Sequence, residues 1–442
     1  MHKLPGRVLC AENRTEITLV ENILLFLFIV RPVIDLAWGR TIFMNLNLAG
    51  LIAVFTIVLT VIYFIVRPTM SVNVTVYTGI LYAAYIGYIT ILNFTALNDL
   101  DYTLRLMSEL AFLIVVAPRI SHEKLNKCIL LFTIMTLIPI FITYFQAMGI
   151  VPYTYFDWVN GVKISRGSGG YRQPSVLTRF CSVGLLYTFY LFENEQLNRN
   201  IKRILGVYIA LNITAVFLSY HRTGYLLVLI EIVLWIYLKN AKKLSGFICK
   251  ALIATVLILI VFGVIYKLGL LSIDLSTVKS MLSISNIFTI SDGKITFGLR
   301  GRGRMIETLK LGFAENPWFY TLFGNGVAVN AVTGIGMTVA DMEFIRVLWN
   351  GGVVGMCIWL VHFISLKKAV ARYKNVEGVD SLYRLATCMF WIFIIWGLTI
   401  EATNSPNLMY HVYLICGVFC YKSPVTNRMT ENSDDEYAGE KF

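Results

Sequence analysis

Apolar stretches of about 20 residues recur along this chain from residue 17 to residue 421, and they constrain its fold more than any other feature. A transmembrane α-helix needs roughly that length to cross hydrocarbon. Inside a bilayer every backbone N–H and C=O must be satisfied, and a helix does so within one segment. Composition agrees: 57% of the 442 residues are hydrophobic, 14% are charged, and the mean hydropathy is +0.69. Soluble domains lie nearer about 45–50% apolar and about 25% charged. The chain therefore reads as an all-α polytopic membrane protein with one membrane domain.

The pattern predicts twelve spans, at 17–37, 47–66, 75–95, 101–118, 127–148, 178–193, 203–220, 223–239, 249–270, 343–366, 385–401 and 406–421. The first stretch is long enough to span and has no small-residue cleavage site behind it, so it is expected to be a membrane helix rather than a cleaved leader. The domain is expected to cover 1–421, with two long outward loops at 149–177 and 271–342. An acidic tail, 422–442, follows and is expected to be disordered and cytoplasmic. The pattern around Arg304 to Phe313 predicts a short amphipathic helix within the second loop.

Basic residues then orient the spans. With the N-terminus inside, the cytoplasmic segments and their edges hold 22 of the 38 Lys and Arg residues. The short outward connectors hold only Arg40 and Arg222. This matches the positive-inside rule, so the net charge of +12 reports topology and a membrane-lipid environment, not a nucleic-acid partner. Of the eight cysteines, Cys10 lies in the N-terminal tail and the rest fall in apolar stretches. No spacing marks a zinc site or an extracellular disulfide.

The basic residues that break the rule are the candidates for function. In LRGRGR, Arg300, Arg302 and Arg304 alternate with Gly301 and Gly303. Glycine lets a backbone come close to a ligand, and arginine presents a rigid fork to phosphate oxygens. The bland alternative is a solvated loop against head groups. In SYHRTGY, His221 and Arg222 form a tight connector between two spans. Charge so close to hydrocarbon points to function by default, against the alternative of a snorkelling arginine and a structural histidine.

The first loop carries SRGSGGYRQPSVLTRF, with Arg166, Arg172 and Arg179 among glycines. Pro174 is placed to open a helix, whose N-terminus favours anions. This is a second candidate phosphate site, or an ordinary ordered loop. Asp341 and Glu343 stand where the tenth span begins; Asp341 reads either as an N-cap or as a general base. Within the spans, Arg31 with Asp35 and Arg105 with Glu109 have the four-residue spacing of neutralising pairs on one helix face.

Four segments in this order resemble one family: YRQPSVLTRF entering a helix, SYHRTG between spans, LRGRGRMIETLKLGF followed by NPWFYTLFGNG, and DMEFIRVLWNGGVVG entering the tenth span. They look like the O-antigen and capsule polymerases of the Wzy type, a superfamily that includes the O-antigen ligases. The resemblance implies a GT-C-like, metal-independent glycosyltransferase of the bacterial inner membrane, without cofactor and with its active face periplasmic. Its donor and acceptor would be glycans linked to undecaprenyl diphosphate, and a chain-length regulator would be an expected partner. The family's connector arginine matches Arg222, and its large-loop arginine matches Arg302 or Arg304. The ligases carry a histidine where this chain has Asp341, and the large loop here has none, which favours a polymerase. On these grounds Arg222, Arg302, Arg304 and Asp341 are expected to be catalytic. Arg166, Arg172, Arg179, His221, Arg300 and Glu343 are expected to bind substrate. A ligase and a lipid-linked glycan transporter are the rival readings.

Overall fold

A computed structural model describes residues 6–37, 41–43, 46–66, 73–93, 97–159, 162–193, 197–239, 288–291, 294–297, 302–315, 317–326, 342–374, 376, 379–399 and 405–421. The expected ninth span, 249–270, and the tail, 422–442, lie outside these residues. The helices are α1 (Gly6–Ile34), α2 (Leu48–Val66), α3 (Val74–Leu92), α4 (Leu97–Ala111), α5 (His122–Ala147), α6 (Pro174–Glu193), α7 (Arg199–Leu218) and α8 (Arg222–Lys239). They continue as α9 (Arg302–Glu315), α10 (Trp318–Phe323), α11 (Glu343–Ala371), α12 (Asp380–Thr399) and α13 (Pro406–Tyr421). Among the described residues, seven helices are long and apolar enough to cross a membrane: α2, α3, α5, α6, α7, α11 and α12. The chain is thus a multi-pass, largely helical membrane protein.

Helix starts follow local chemistry. Asn73 accepts from the Val76 N–H at 2.9 Å, and Ser121 accepts from the Lys124 N–H at 3.3 Å, capping α3 and α5. Pro174 and Pro406 occupy first helical positions, where a missing N–H costs nothing. After α4 the backbone widens into a π-turn, Phe112–Val116, with the Ala117 N–H bonded to the Phe112 carbonyl at 2.9 Å.

Contacts between helix ends sort the bundle into two poles. At one, the Asn73 side chain donates to the Cys420 carbonyl, Tyr190 donates to Asn126, and Lys124 pairs with Glu21 at 3.0 Å. Glu193 there receives Lys239 at 2.9 Å, the Trp235 indole at 3.1 Å, and Arg384. At the other, Tyr171 donates to the Pro32 carbonyl at 2.6 Å, and Arg179 meets Ser405 and Asn407. We call these the lysine-rich end and the Arg222 end. They coincide with the two sides that the basic residues assign.

The last helix is the axis. From Pro406 to Phe419 every residue of α13 is buried, and it touches α1, α4, α6, α11 and α12. A short helix that is apolar all round belongs in such a position. His411 sits there against the rings of Phe28 and Phe132, with Nδ1 2.8 Å from the Tyr187 hydroxyl.

Helix α11 is broken. Gly352, at φ 62° and ψ −164°, interrupts it about two turns after its start. The freed carbonyls are answered by a buried segment that follows α10: the Asn325 N–H bonds the Trp349 carbonyl at 3.0 Å, and the Gly326 N–H bonds that of Asn350 at 3.1 Å. Tyr85 of α3 adds its hydroxyl to the Gly351 and Phe323 carbonyls. Irregular backbone beside a span is tolerated only when its polar groups are satisfied in this way. The sequence motifs FGNG and WNGG are therefore two halves of one joint. Gly351 and Gly355 pack against Ile86 and Tyr85 of α3, whereas Gly352 faces the backbone of Leu322 and Gly324.

The first loop contains an antiparallel hairpin, β3 (Tyr155–Val159) with β4 (Val162–Arg166), and the second contains β5 (Phe288–Ser291) with β6 (Lys294–Phe297). A smaller hairpin, β1 (Thr41–Phe43) with β2 (Leu46–Asn47), joins α1 to α2. The helix predicted around Arg304 to Phe313 is α9.

Candidate functional site

The site grows from the start of α8. Tyr220 closes α7 with a left-handed φ of 49°, a conformation that costs a non-glycine residue roughly 1–2 kcal/mol. That bend lets α8 begin at once. His221 caps it: its Nδ1 accepts from the Gly224 N–H at 3.2 Å and lies 3.1 Å from the Thr178 hydroxyl. Accepting at Nδ1 puts the proton of the neutral ring on Nε2. Gly224 has no side chain because Thr178 of α6 lies where a Cβ would press, at 2.8 Å.

From His221 a stacked chain runs to α13. The imidazole lies parallel to the Trp396 indole, 5.7 Å between centroids and 15° between planes. The Arg179 guanidinium stands over that indole at 5.4 Å. Arg179 is only 6% exposed, and its Nη1 donates to Ser405 Oγ at 2.6 Å and Asn407 Oδ1 at 3.2 Å. Such a cation is held by three partners on two other helices, so its position is determined.

Arg222, partly buried, is the first residue of α8. Arg166, also partly buried, ends β4, and both lie within electrostatic range of the Tyr225 hydroxyl. Glu343 opens α11 fully buried and packs over Gly397, the neighbour of Trp396. Arg172 is exposed in the loop beside the buried Tyr171. One turn further along α13, Arg31 pairs with Asp35 at 2.9 Å and stands over the Tyr410 ring at 5.4 Å. Glu109 lies within electrostatic range of Arg31 and Tyr410. The Arg31–Asp35 pair thus forms as its spacing predicts, and the described surroundings of Glu109 include Arg31.

The starts of α6, α8, α11 and α13 all lie at this end. Helix N-termini carry positive partial charge, and a cation in the first turn is disfavoured by about 0.3–1 kcal/mol. Arg222 stands there nonetheless. The result is a concentration of positive potential suited to an anion with several oxygens.

Arg166, Arg179, His221, Arg222 and Glu343 are therefore brought to one bundle end. Arg302 and Arg304 lie in the first turn of α9, and Arg300 and Asp341 lie outside the described residues. The cap position of α11 belongs to Met342.

The backbone of SRGSGG turns into the bundle. The N–H groups of Ser168 and Gly169 both donate to Gln146 Oε1 of α5, at 3.1 and 3.2 Å. Gly167 abuts the Leu218 carbonyl and Gly169 abuts that of Pro139. These glycines fit the loop into the bundle. Sequence reasoning missed Gln146, Trp396, Ser405, Asn407 and Tyr410; the Ser-Pro-Asn start of α13 was the one available signal, as a cap.

No protein-family model matches this chain, and comparison with curated proteins finds no match either.

Proposed function

We propose that this protein is a metal-independent, GT-C-like glycosyltransferase of about twelve spans that polymerises undecaprenyl-diphosphate-linked oligosaccharides into O-antigen or capsular polysaccharide. Its Arg222 end would face the periplasm of a bacterial inner membrane. The observation that carries this reading is the convergence of Arg166, Arg179, His221 and Arg222 among four helix N-termini. The four-segment resemblance supplies the substrate class.

In the proposed reaction an acceptor sugar hydroxyl attacks the anomeric carbon of the donor chain. The carbon–oxygen bond to the diphosphate breaks, and undecaprenyl diphosphate leaves with the electron pair. Arg222, with Arg302 or Arg304, stabilises that developing charge; a preorganised donor of this kind contributes about 3–4 kcal/mol. Asp341 takes the hydroxyl proton. Arg166, Arg172 and Arg300 hold diphosphate or glycan, Glu343 orders the same end, and Arg179 and His221 position Arg222 through Trp396 and the α8 cap.

Arg222→Ala is expected to lower polymer formation by about 100-fold or more while the protein stays in the membrane. Glycan ladders from cells carrying Arg222→Ala and Arg304→Ala read this directly, and normal ladders in both would overturn the proposal. A null strain that still attaches a single repeat unit excludes a ligase. Polymer made by the purified protein from lipid-linked units excludes transport as its sole activity.

A further inference from the structure

The lysine-rich end carries a feature that glycan polymerisation does not use. A cleft of about 540 Å³ opens between the last turns of α8 and α11 and the start of α12. Such a volume suits a ligand of small-molecule size. Its polar wall holds Lys367, Lys374, Asp380 and Arg384. Arg384 is already committed to Glu193, and Asp380 offsets one cation, so a positive excess remains. The Lys367 ammonium stands 4.6 Å above the Trp391 ring. Leu238, Val370, Ala371, Phe390 and Trp391 give the wall an apolar flank, beside the hydroxyl-bearing Tyr237, Tyr383 and Thr387.

The cleft therefore has a cationic rim and an apolar flank. Both α11 and α12 qualify as spans, so the rim lies where such helices leave the hydrocarbon. Tryptophan suits that interface, with an apolar ring and one polar N–H. We propose that the cleft binds an anionic phospholipid, with its phosphate on Lys367 and Lys374 and an acyl chain along Phe390 and Trp391. Charge complementarity selects the anionic headgroup, and the apolar flank selects a lipid over a free anion. Basic pockets between spans at a cytoplasmic interface take lipid head groups by the same physics.

The test is native mass spectrometry of the full chain released from nanodiscs holding phosphatidylglycerol and phosphatidylcholine in equal amounts. The wild type is expected to retain phosphatidylglycerol selectively. Lys367→Gln and Lys374→Gln should each lower that retention about fivefold. Lys127→Gln, a 70% exposed lysine outside the cleft, should leave it unchanged. A local readout does not depend on those variants folding. Brominated phosphatidylglycerol should quench the Trp391 fluorescence, taken as wild type minus Trp391→Phe, more than brominated phosphatidylcholine does. Equal quenching, an equal loss with Lys127→Gln, or displacement of the lipid by millimolar inorganic phosphate would each overturn the proposal.

Discussion

At the scale of residues, His221 and Arg222 are adjacent in sequence and opposite in character. His221 is consumed by structure: its Nδ1 closes the first turn of α8, and its ring carries Trp396. His221→Ala should cost about 1 kcal/mol of stability, and His221→Asn, a good N-cap, should recover most of it. Denaturation in detergent checks this, and equal losses would show that the cap does not matter. Arg222 works against its own helix dipole, so Arg222→Gln should leave stability unchanged or raise it by a few tenths of a kcal/mol while abolishing polymer. That split between folding and activity separates a functional arginine from a snorkelling one. The sequence put both residues in a tight connector, and in the structure they stand where α7 has ended at Leu218 and α8 begins at Arg222. It did not reveal the cap, because that depends on a bend at Tyr220, which no propensity favours.

At the scale of elements, the joint between α11 and the segment after α10 is the most demanding. Gly324 and Gly352 both have positive φ, and a Cβ on either would run into backbone of the other strand of the joint. Backbone cannot yield as a side-chain tip can. Gly324→Ala and Gly352→Ala should each destabilise the protein by more than about 2 kcal/mol. Gly206 provides the opposite sign: it lies inside α7, and a Cβ there would meet only Phe192 at 3.9 Å. Gly206→Ala should stabilise by up to about 1 kcal/mol. Thermal unfolding in one detergent compares all three, and similar losses at Gly206 and Gly352 would remove the joint as the explanation. The glycine-rich motifs were visible in the sequence. Their pairing was not, since nothing in the spacing of FGNG and WNGG says that the N–H groups of one answer the carbonyls of the other.

At the scale of the whole molecule, the proposed orientation gives α5 a direction that can be tested. In a cysteine-free background, Ile150→Cys should react with an impermeant thiol reagent applied from the periplasmic side. Glu123→Cys, at the other end of α5, should react only after the inner membrane is opened. Both side chains are exposed, so access is decided by side alone. The reverse pattern would invert the assigned orientation and, with it, the proposed function.

Hydropathy acts along the membrane normal, so the sequence by itself marked the seven described helices that are long and apolar enough to cross a membrane. Pro174 did the same for the start of α6, whereas the caps at Asn73 and Ser121 emerged only in the structure. Neither signal says which way a helix is rotated or which helix stands beside it. Arg179 bonds to Ser405 and Asn407 across more than 220 residues of chain, and Gln146 holds a loop that begins about twenty residues later. Only the tertiary packing could decide those partners, because they follow from how buried faces fit around α13, and that fit has no periodicity to read.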